Sequence, residues 1–402
     1  MSAPTVRIGD ISEQIRGVTY GKADATLNSS PGYLPILRAG NIGESGITFD
    51  DLVHVPAAKV AERQMIRQGD VLIAASSGSL SAVGKAAQAT EDFDGAFGAF
   101  CKVLRPNEKV DARYFGHFFR TAPYRRHVAN AAAGANINNL RNEHLDSLTL
   151  RLPSFAVQKR IAAILDQVDT LRAKCREAIA FLGDLTQAMF IRMFQCEGCH
   201  KEPLSAIVRK GTIVTYGIVQ AGDEFERGVP YIRTGDLKDG KIVTHGLRHT
   251  DPSIAAKFAR SRVQAGEIVM SIRATVGTTA LVPAELDGAN LTQGTARIAP
   301  GDRVTAEYLL AYLRSREAQS WIHRQVKGAT FREITLGKLR ELEVPLPPFA
   351  RQLEFSQRVQ AAEAQLAVHR THLATLDELF TSLQHRAFSG ALWDHEAFGE
   401  AA

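Results

Sequence analysis

Apolar positions along the chain follow two patterns in turn. Residues 1–154 carry them as short runs between glycine-rich turns, as in Val71-Leu72-Ile73 and Phe100 to Leu104. Residues 198–348 repeat the style with Ile268-Val269-Met270 and Thr295 to Ile298. Such runs predict short strands. One helical patch is expected within each region, near Tyr114 to Ala131 and near Ala306 to Val326. Each region therefore reads as mixed α and β with segregated elements, an α+β class.

Between and after these regions the period changes. Ile161, Val168, Cys175, Leu182 and Met189 sit seven apart, with Ile164, Leu171, Ala178 and Leu185 three after the first four. In 349–402, Phe355, Ala362, His369, Leu376 and Leu383 alternate with Val359, Leu366, Leu373 and Phe380. Both read as a/d seams of long helices. Pro153 and Pro347-Pro348 precede them, and Gly198 and Gly390 follow. Two packings fit: each stripe on its own globular region, or the two helices on each other. The second is the reading taken, a strut of two antiparallel helices, each of roughly 40 residues and about 60 Å. The expected domains are 1–154, a spacer helix in 155–197, 198–348, and a spacer helix in 349–402.

The whole order is written twice. Val18-Thr19-Tyr20-Gly21 recurs as Val214-Thr215-Tyr216-Gly217, Gly69-Asp70-Val71 as Gly266-Glu267-Ile268, and Tyr114 as Tyr308. Leu152, Pro153, Phe155 and Gln158 recur as Leu346, Pro347, Phe349 and Gln352. A period of half the chain is too long for a solenoid and predicts two copies of one two-part unit.

Composition narrows the class. The 402 residues are 45% apolar and 23% charged, with four cysteines, which excludes disordered, fibrous and disulfide-scaffold classes. The opening MSAPTVRIGDISEQIRG lacks the apolar core of a signal peptide, and no apolar run is long enough to span a membrane. A cytoplasmic location is expected. The net charge of +5 is unevenly placed. Residues 1–154 carry 17 basic against 15 acidic residues, and residues 198–348 carry 21 against 16. The two helical segments carry 6 against 5 and 4 against 7. The basic excess lies on the globular regions, as phosphate-facing domains require.

Catalytic motifs fail. Gly78 to Gly84-Lys85-Ala86 has five intervening residues and lacks the hydroxyl of a Walker A loop. No glycine-rich dinucleotide fingerprint opens a helix, and no amino-methyltransferase motif occurs. Asp239-Gly240-Lys241 reads as a surface turn. Cys196-Glu197-Gly198-Cys199-His200 has the form of a haem-attachment string but follows a helix without an export signal. A linker with incidental cysteines fits better than a metal or haem site.

Polar loops remain. One pair comprises Tyr20 with Lys22, and Tyr216. A second is Arg38 with Asn41, and Arg233 with Asp236. A third is Ser76, Ser77, Ser79 and Lys85, and Arg273 with Thr275. The fourth is Asn136 with Asn138, and Lys327, Thr330 and Arg332. These side-chain types bond phosphates and base edges. Ordinary turn chemistry explains any one of them equally well. The framework repeats while these loops differ, which suits a reader of two different sequences.

The residues Leu152-Pro153-x-Phe155-x-x-Gln158…Ile161-x-x-Ile164-Leu165-Asp166, Leu346-Pro347-Pro348-Phe349-x-x-Gln352 and Leu383-Gln-His-Arg-Ala-Phe388-Ser-Gly390 resemble those of the specificity subunits of type I restriction–modification enzymes. The resemblance extends over essentially the whole chain. It departs at Val157 and Arg351, where the family often has Glu before the Gln. The resemblance implies a non-catalytic subunit with two target-recognition domains on a split double-stranded DNA site. It implies helices that act as a ruler and dock two modification methyltransferase subunits, with restriction subunits as further partners. No cofactor is implied for this chain; S-adenosylmethionine, and ATP with Mg, are implied for the partners. The other classes are a stand-alone DNA-modifying enzyme and a protein-binding adaptor.

Overall fold

The runs Val71–Ala74 and Ile268–Ser271 are continuous in apolar character because both faces of each strand are buried. Val71 and Ile73 face one core with Tyr114, Phe115 and Leu145, whereas Leu72 and Ala74 face a second with Leu37, Phe97 and Val103. In the second copy Ile268 and Met270 face one core and Val269 the other. The computed structural model describes residues 3–43, 46–77, 82–133, 139–194, 199–328 and 332–392. The chain divides into a first unit, 1–177 with 370–402, and a second unit, 178–369.

The repeat in sequence is a repeat in topology. The first unit has a four-stranded antiparallel sheet ordered Ser12–Arg16, Cys101–Pro106, Val71–Ala74, Ala86–Gln88. A three-stranded sheet runs Val53–Pro56, Tyr33–Leu37, Ala96–Phe97, its last pair parallel. Thr5–Arg7 closes on Thr149–Arg151. The second unit has the same three sheets in the same order. They are Thr215–Tyr216, Thr295–Ile298, Ile268–Ser271, Thr279–Leu281; then Arg248–Thr250, Val229–Ile232, Asn290–Leu291; and Lys201–Pro203 on Glu343–Pro345. A short hairpin of Leu237–Lys238 and Lys241–Ile242 is also present. Each expected helical patch is two helices: Ala112–Phe118 with Ala122–Ala133, and Ala306–Arg314 with Arg316–Gln325. The second pair breaks at Ser315, whose hydroxyl caps the following helix by accepting the Ala318 N–H.

Several recurring polar residues are structural. Asp70 is buried and accepts Arg105 Nε and Nη2, both at 2.8 Å. Glu267 is buried and accepts Arg297 Nε and Nη2, both at 2.7 Å, together with Arg209. Gln158 fixes the start of the first long helix, Phe155–Met193: its Oε1 accepts the Asp111 N–H at 2.8 Å and its Nε2 donates to the Pro153 carbonyl at 2.8 Å. Gln352 does the same for the second, Phe349–Ser389, between the Thr305 N–H and the Pro347 carbonyl, each at 3.0 Å. Tyr114 and Tyr308 donate to the carbonyls of Arg151 and Pro345 at 2.8 and 2.7 Å.

Each unit contains the start of one long helix and the end of the other. In the first unit Phe388 packs on Tyr114 at 4.9 Å between ring centroids, and Arg172 Nε donates to Asp377 at 2.6 Å. In the second Phe194 packs on Tyr308 at 4.8 Å and on Phe355 at 5.4 Å. Residue numbers rise along one helix as they fall along the other, so the helices are antiparallel.

The heptad seam is corrected in detail. Ile164 and Leu171 are 38% and 44% exposed, and the positions of this helix buried in the first unit are Gln158, Ile161, Ala162, Leu165 and Val168. That is the i, i+3, i+4, i+7 stripe of a straight helix on a globular surface. It arises because the helix packs at once on the aromatic helices of its own domain and on the other long helix. The second helix buries Gln352, Phe355, Ser356, Val359 and Ala362 in the same way. Phe380 is buried, and Leu182, Leu185, Leu366, Leu373, Leu376 and Leu383 are half-buried, as is His369.

Cys196 lies outside the described residues. His200 is exposed and lies 3.3 Å from Glu202. Among the described residues no group of three His, Cys, Asp or Glu side chains could hold a metal ion, and no helix is long and apolar enough to cross a membrane. Cys101 is buried in a strand, which pushes its thiol pKa up to about 12.

Candidate nucleic-acid interface

Three of the predicted loops in each unit meet at one tight turn. In the first unit this turn is Gly98 to Cys101, closed by the Cys101 N–H on the Gly98 carbonyl at 2.8 Å. The Gly98 N–H donates to Leu37, beside Arg38, and the Ala99 N–H to Val18, each at 2.9 Å. The Phe100 carbonyl accepts the N–H groups of Ala75 and Ser76 at 2.9 and 3.0 Å. The second unit builds the same turn from Thr292 to Thr295. Thr292 donates to Ile232 at 3.2 Å, Gln293 to Ile218 at 2.9 Å, and Gly294 accepts from Ile272 at 2.9 Å. Gly17 and Gly217 are required there, because a Cβ would lie 2.1 Å from the Gly98 oxygen or 1.9 Å from the Leu291 oxygen.

This geometry corrects one match. Gly17-Val18 occupies the place of Gly217-Ile218 against the turn, so Tyr216 stands where Arg16 stands and is not the counterpart of Tyr20. The chain leading into Thr215 makes its own turn, with the Thr212 N–H on the Arg209 carbonyl at 2.9 Å, and shifts the register. Tyr20 is half-buried against the Val18, Ile36, Val55 and Ala96 cluster. Burial raises its hydroxyl pKa, opposed by the nearby Arg38 charge. Lys22 and Tyr216 are exposed.

The other loops match residue by residue. Arg38 and Arg233 each donate a backbone N–H to the side chain three residues on, Asn41 at 2.9 Å and Asp236 at 2.8 Å. Asn41 and Asp236 are buried turn caps. Asn41 also donates to the Asp50 carbonyl at 2.7 Å, so both ends of its amide are engaged. The polar atoms of these two residues close turns. The arginines then diverge. Arg38 is exposed and its guanidinium donates to the Asp51 carbonyl at 2.5 Å. Arg233 is clamped by Asp236 at 3.0 and 2.8 Å, which raises its own pKa.

Ser76 bridges to Asn139 as Arg273 bridges to Glu333. Arg273 pairs with Glu333 at 3.2 Å and is half-exposed. Glu333 exchanges backbone hydrogen bonds with Lys327 at 2.9 and 3.1 Å, and the Arg332 carbonyl accepts the Ala274 N–H at 3.1 Å. The third and fourth loops of the second unit are thus one surface. Thr275 and Arg332 line a pocket of about 610 Å³ there, with Arg314 and His323. Lys85 is exposed and Ser77 half-buried. Ser79, Asn136, Asn138 and Thr330 lie outside the described residues. Phe100 and Gln293, at the turn itself, were missed because Phe100 reads in sequence as the start of an apolar strand.

Comparison with known proteins gives this duplicated surface a context. A family model described as the type I restriction modification DNA specificity domain matches residues 3–179 and 211–378. The EcoKI specificity subunit of Escherichia coli K12, a type I restriction enzyme component, is 29% identical over 96% of this chain and 88% of its own length. The StySPI specificity subunit of Salmonella potsdam is 40% identical over 46% of this chain and 41% of its own. The crystal structure of a type I restriction–modification S subunit from M. genitalium covers 96% of both chains at 14% identity, with a TM-score of 0.60, a likeness of fold. With both copies matched, the chain belongs to the family of type I restriction–modification DNA specificity subunits, the non-catalytic members of those enzymes.

Proposed function

We propose that this chain reads a bipartite double-stranded DNA target, one half through each turn-centred surface, and docks two modification methyltransferase subunits on its long helices. The observation that carries this is the pair of turns: one backbone arrangement, held by the same hydrogen bonds, presents different side chains in the two copies. Phosphate contacts would set register, and loop side chains would select bases. Ile164, Leu171 and Leu379 in the first unit, and Phe181 and Val368 in the second, expose apolar surface along the helices and offer ground for protein partners. Restriction subunits complete the assembly. S-adenosylmethionine, and ATP with Mg, belong to the partners. The site of action is the cytoplasm.

Co-expression with the cognate methyltransferase and mapping of methylated positions across the host genome tests the reading. The expected result is a two-part sequence with an unspecified gap; methylation of a single uninterrupted sequence would rule it out. Each long helix begins in one unit and ends in the other, which makes helix length the natural ruler. Inserting about four residues into both adds about 6 Å, close to two base pairs at about 3.4 Å each. The mapped gap should lengthen by that amount with both half-sites unchanged.

The clamp on Arg233 gives a second expectation. In Asp236→Asn the amide oxygen keeps the turn cap, as Asn41 does, while the guanidinium is released. DNA affinity should rise, and the slope of log K against log salt should steepen by about 0.9, one phosphate contact. Binding titrations over a salt series measure both.

A further inference from the structure

We propose that Phe100 is a specificity-determining residue of the first surface, its ring packing on the C5 methyl group of a thymine in the major groove. The assignment rests on the DNA-reading function above. Phe100 is 71% exposed, yet its backbone is held by hydrogen bonds. It lies in the turn closed by Cys101 on Gly98, and its carbonyl holds both Ala75 and Ser76. A ring fixed in water forgoes the stabilisation of burial, and local folding gives no return for it.

The second copy shows that the turn itself does not need the ring. Its counterpart is Gly294. A Cβ built on Gly294 would lie 3.2 Å from Thr234 Oγ1 and 3.9 Å from Arg273 Cβ. The residues at those two places in the first copy are Ala39 and Ser76. Space occupied by Thr234 and Arg273 in one copy is left by small side chains in the other. The two surfaces therefore differ at their centres in kind: an aromatic ring in the first, a guanidinium beside a glycine in the second.

The surroundings select the partner. Arg38, Lys22 and Lys85 are exposed donors that suit phosphates and the acceptor atoms of base edges. Among those donors a ring meets one apolar group on the major-groove edges of the bases, the thymine methyl.

The test uses the full chain with its methyltransferase subunits and a labelled duplex carrying the mapped site. Deoxyuridine replaces each thymidine in turn within the half-site read by residues 1–154, which removes only the methyl group. At one position the wild-type complex should bind about fourfold more weakly, the worth of one methyl group. Phe100→Ala should bind the thymidine and deoxyuridine duplexes alike at that weaker level. A half-site without thymine, or equal sensitivity in both proteins, overturns the assignment. A loss in Phe100→Ala far beyond fourfold, with no methyl dependence in the wild type, also overturns it and points to a wedge between base pairs. If the mapped duplex is bound no better than a scrambled one, the DNA-reading function fails, and this assignment with it.

Discussion

Glu267→Gln is expected to destabilise the second unit by about 3–5 kcal/mol, the cost of breaking a buried ion pair from one side. Glu267 is 1% exposed and faces Arg297 through two bonds of 2.7 Å, with Arg209 adjoining. Its Oε2 also accepts the Gln264 N–H at 3.0 Å, which shapes the turn leading into Ile268–Ser271. A glutamine presents an amide group to one arginine and leaves a buried guanidinium without its counter-charge. Asp70→Asn should do the same in the first unit, where Arg105 and the Arg67 N–H share the carboxylate. The effects should be local. Hydrogen exchange of the Ile268–Ser271 amides should accelerate in Glu267→Gln with Val71–Ala74 unchanged, and the reverse should hold for Asp70→Asn. Unchanged exchange would mean that the pair contributes nothing net to the folded state.

These pairs also show how much of the fold the sequence discloses. Gly69-Asp70-Val71 and Gly266-Glu267-Ile268 align by eye, but the arginines that answer them do not. Arg105 pairs along the neighbouring strand one residue beyond Leu104, whereas Arg297 sits opposite Val269, where the first copy has Val103 opposite Leu72. The two positions differ by two residues and so share a face of the strand. Both copies hold the ion pair, with one partner displaced by two residues, a shift that the sequence repeat does not disclose. Gln158 and Gln352 were legible as matches but not as staples, because their partners are backbone groups. The α+β regions and the long helices follow from apolar period, and their doubling from the residues that recur half a chain apart. Ile164 and Leu171 fall outside the buried stripe because the helix packs on the aromatic helices of its own domain as well as on the other long helix, which buries Ile161, Leu165 and Val168 instead. At the candidate site, residue type identified polar loops but could not separate exposed Arg38 from buried Asn41, since both are polar and three apart. Phe100 carried the opposite ambiguity: its apolar side chain reads as core, and only the turn places it in solvent.

Exchange of residues 1–154 for the corresponding region of another family member should replace one half of the recognised sequence and leave the other intact. The join is favourable at its backbone contacts. Gln158 bonds the N–H of Asp111 and the carbonyl of Pro153, groups that any incoming region with the same turn supplies. Side-chain contacts are less forgiving. His117 meets Asp166 at 2.7 Å, Arg113 meets it at 3.1 Å, Arg120 pairs with Asp169, and Arg120 lies 5.1 Å over the Phe380 ring. Asp166 and Asp169 stay behind in the exchange, so a donor lacking these partners leaves half-buried carboxylates beside an apolar helix. A narrower exchange of Ser12–Pro106 carries the four-stranded and three-stranded sheets and the Gly98 to Cys101 turn but retains the Ala112–Phe118 helix and all four contacts. Both chimaeras should therefore change the same half-site. Mapping methylated positions for each chimaera with the cognate methyltransferase measures the sequence. A change in both half-sites would contradict separate reading by the two copies, and a change in neither would place recognition outside residues 12–106.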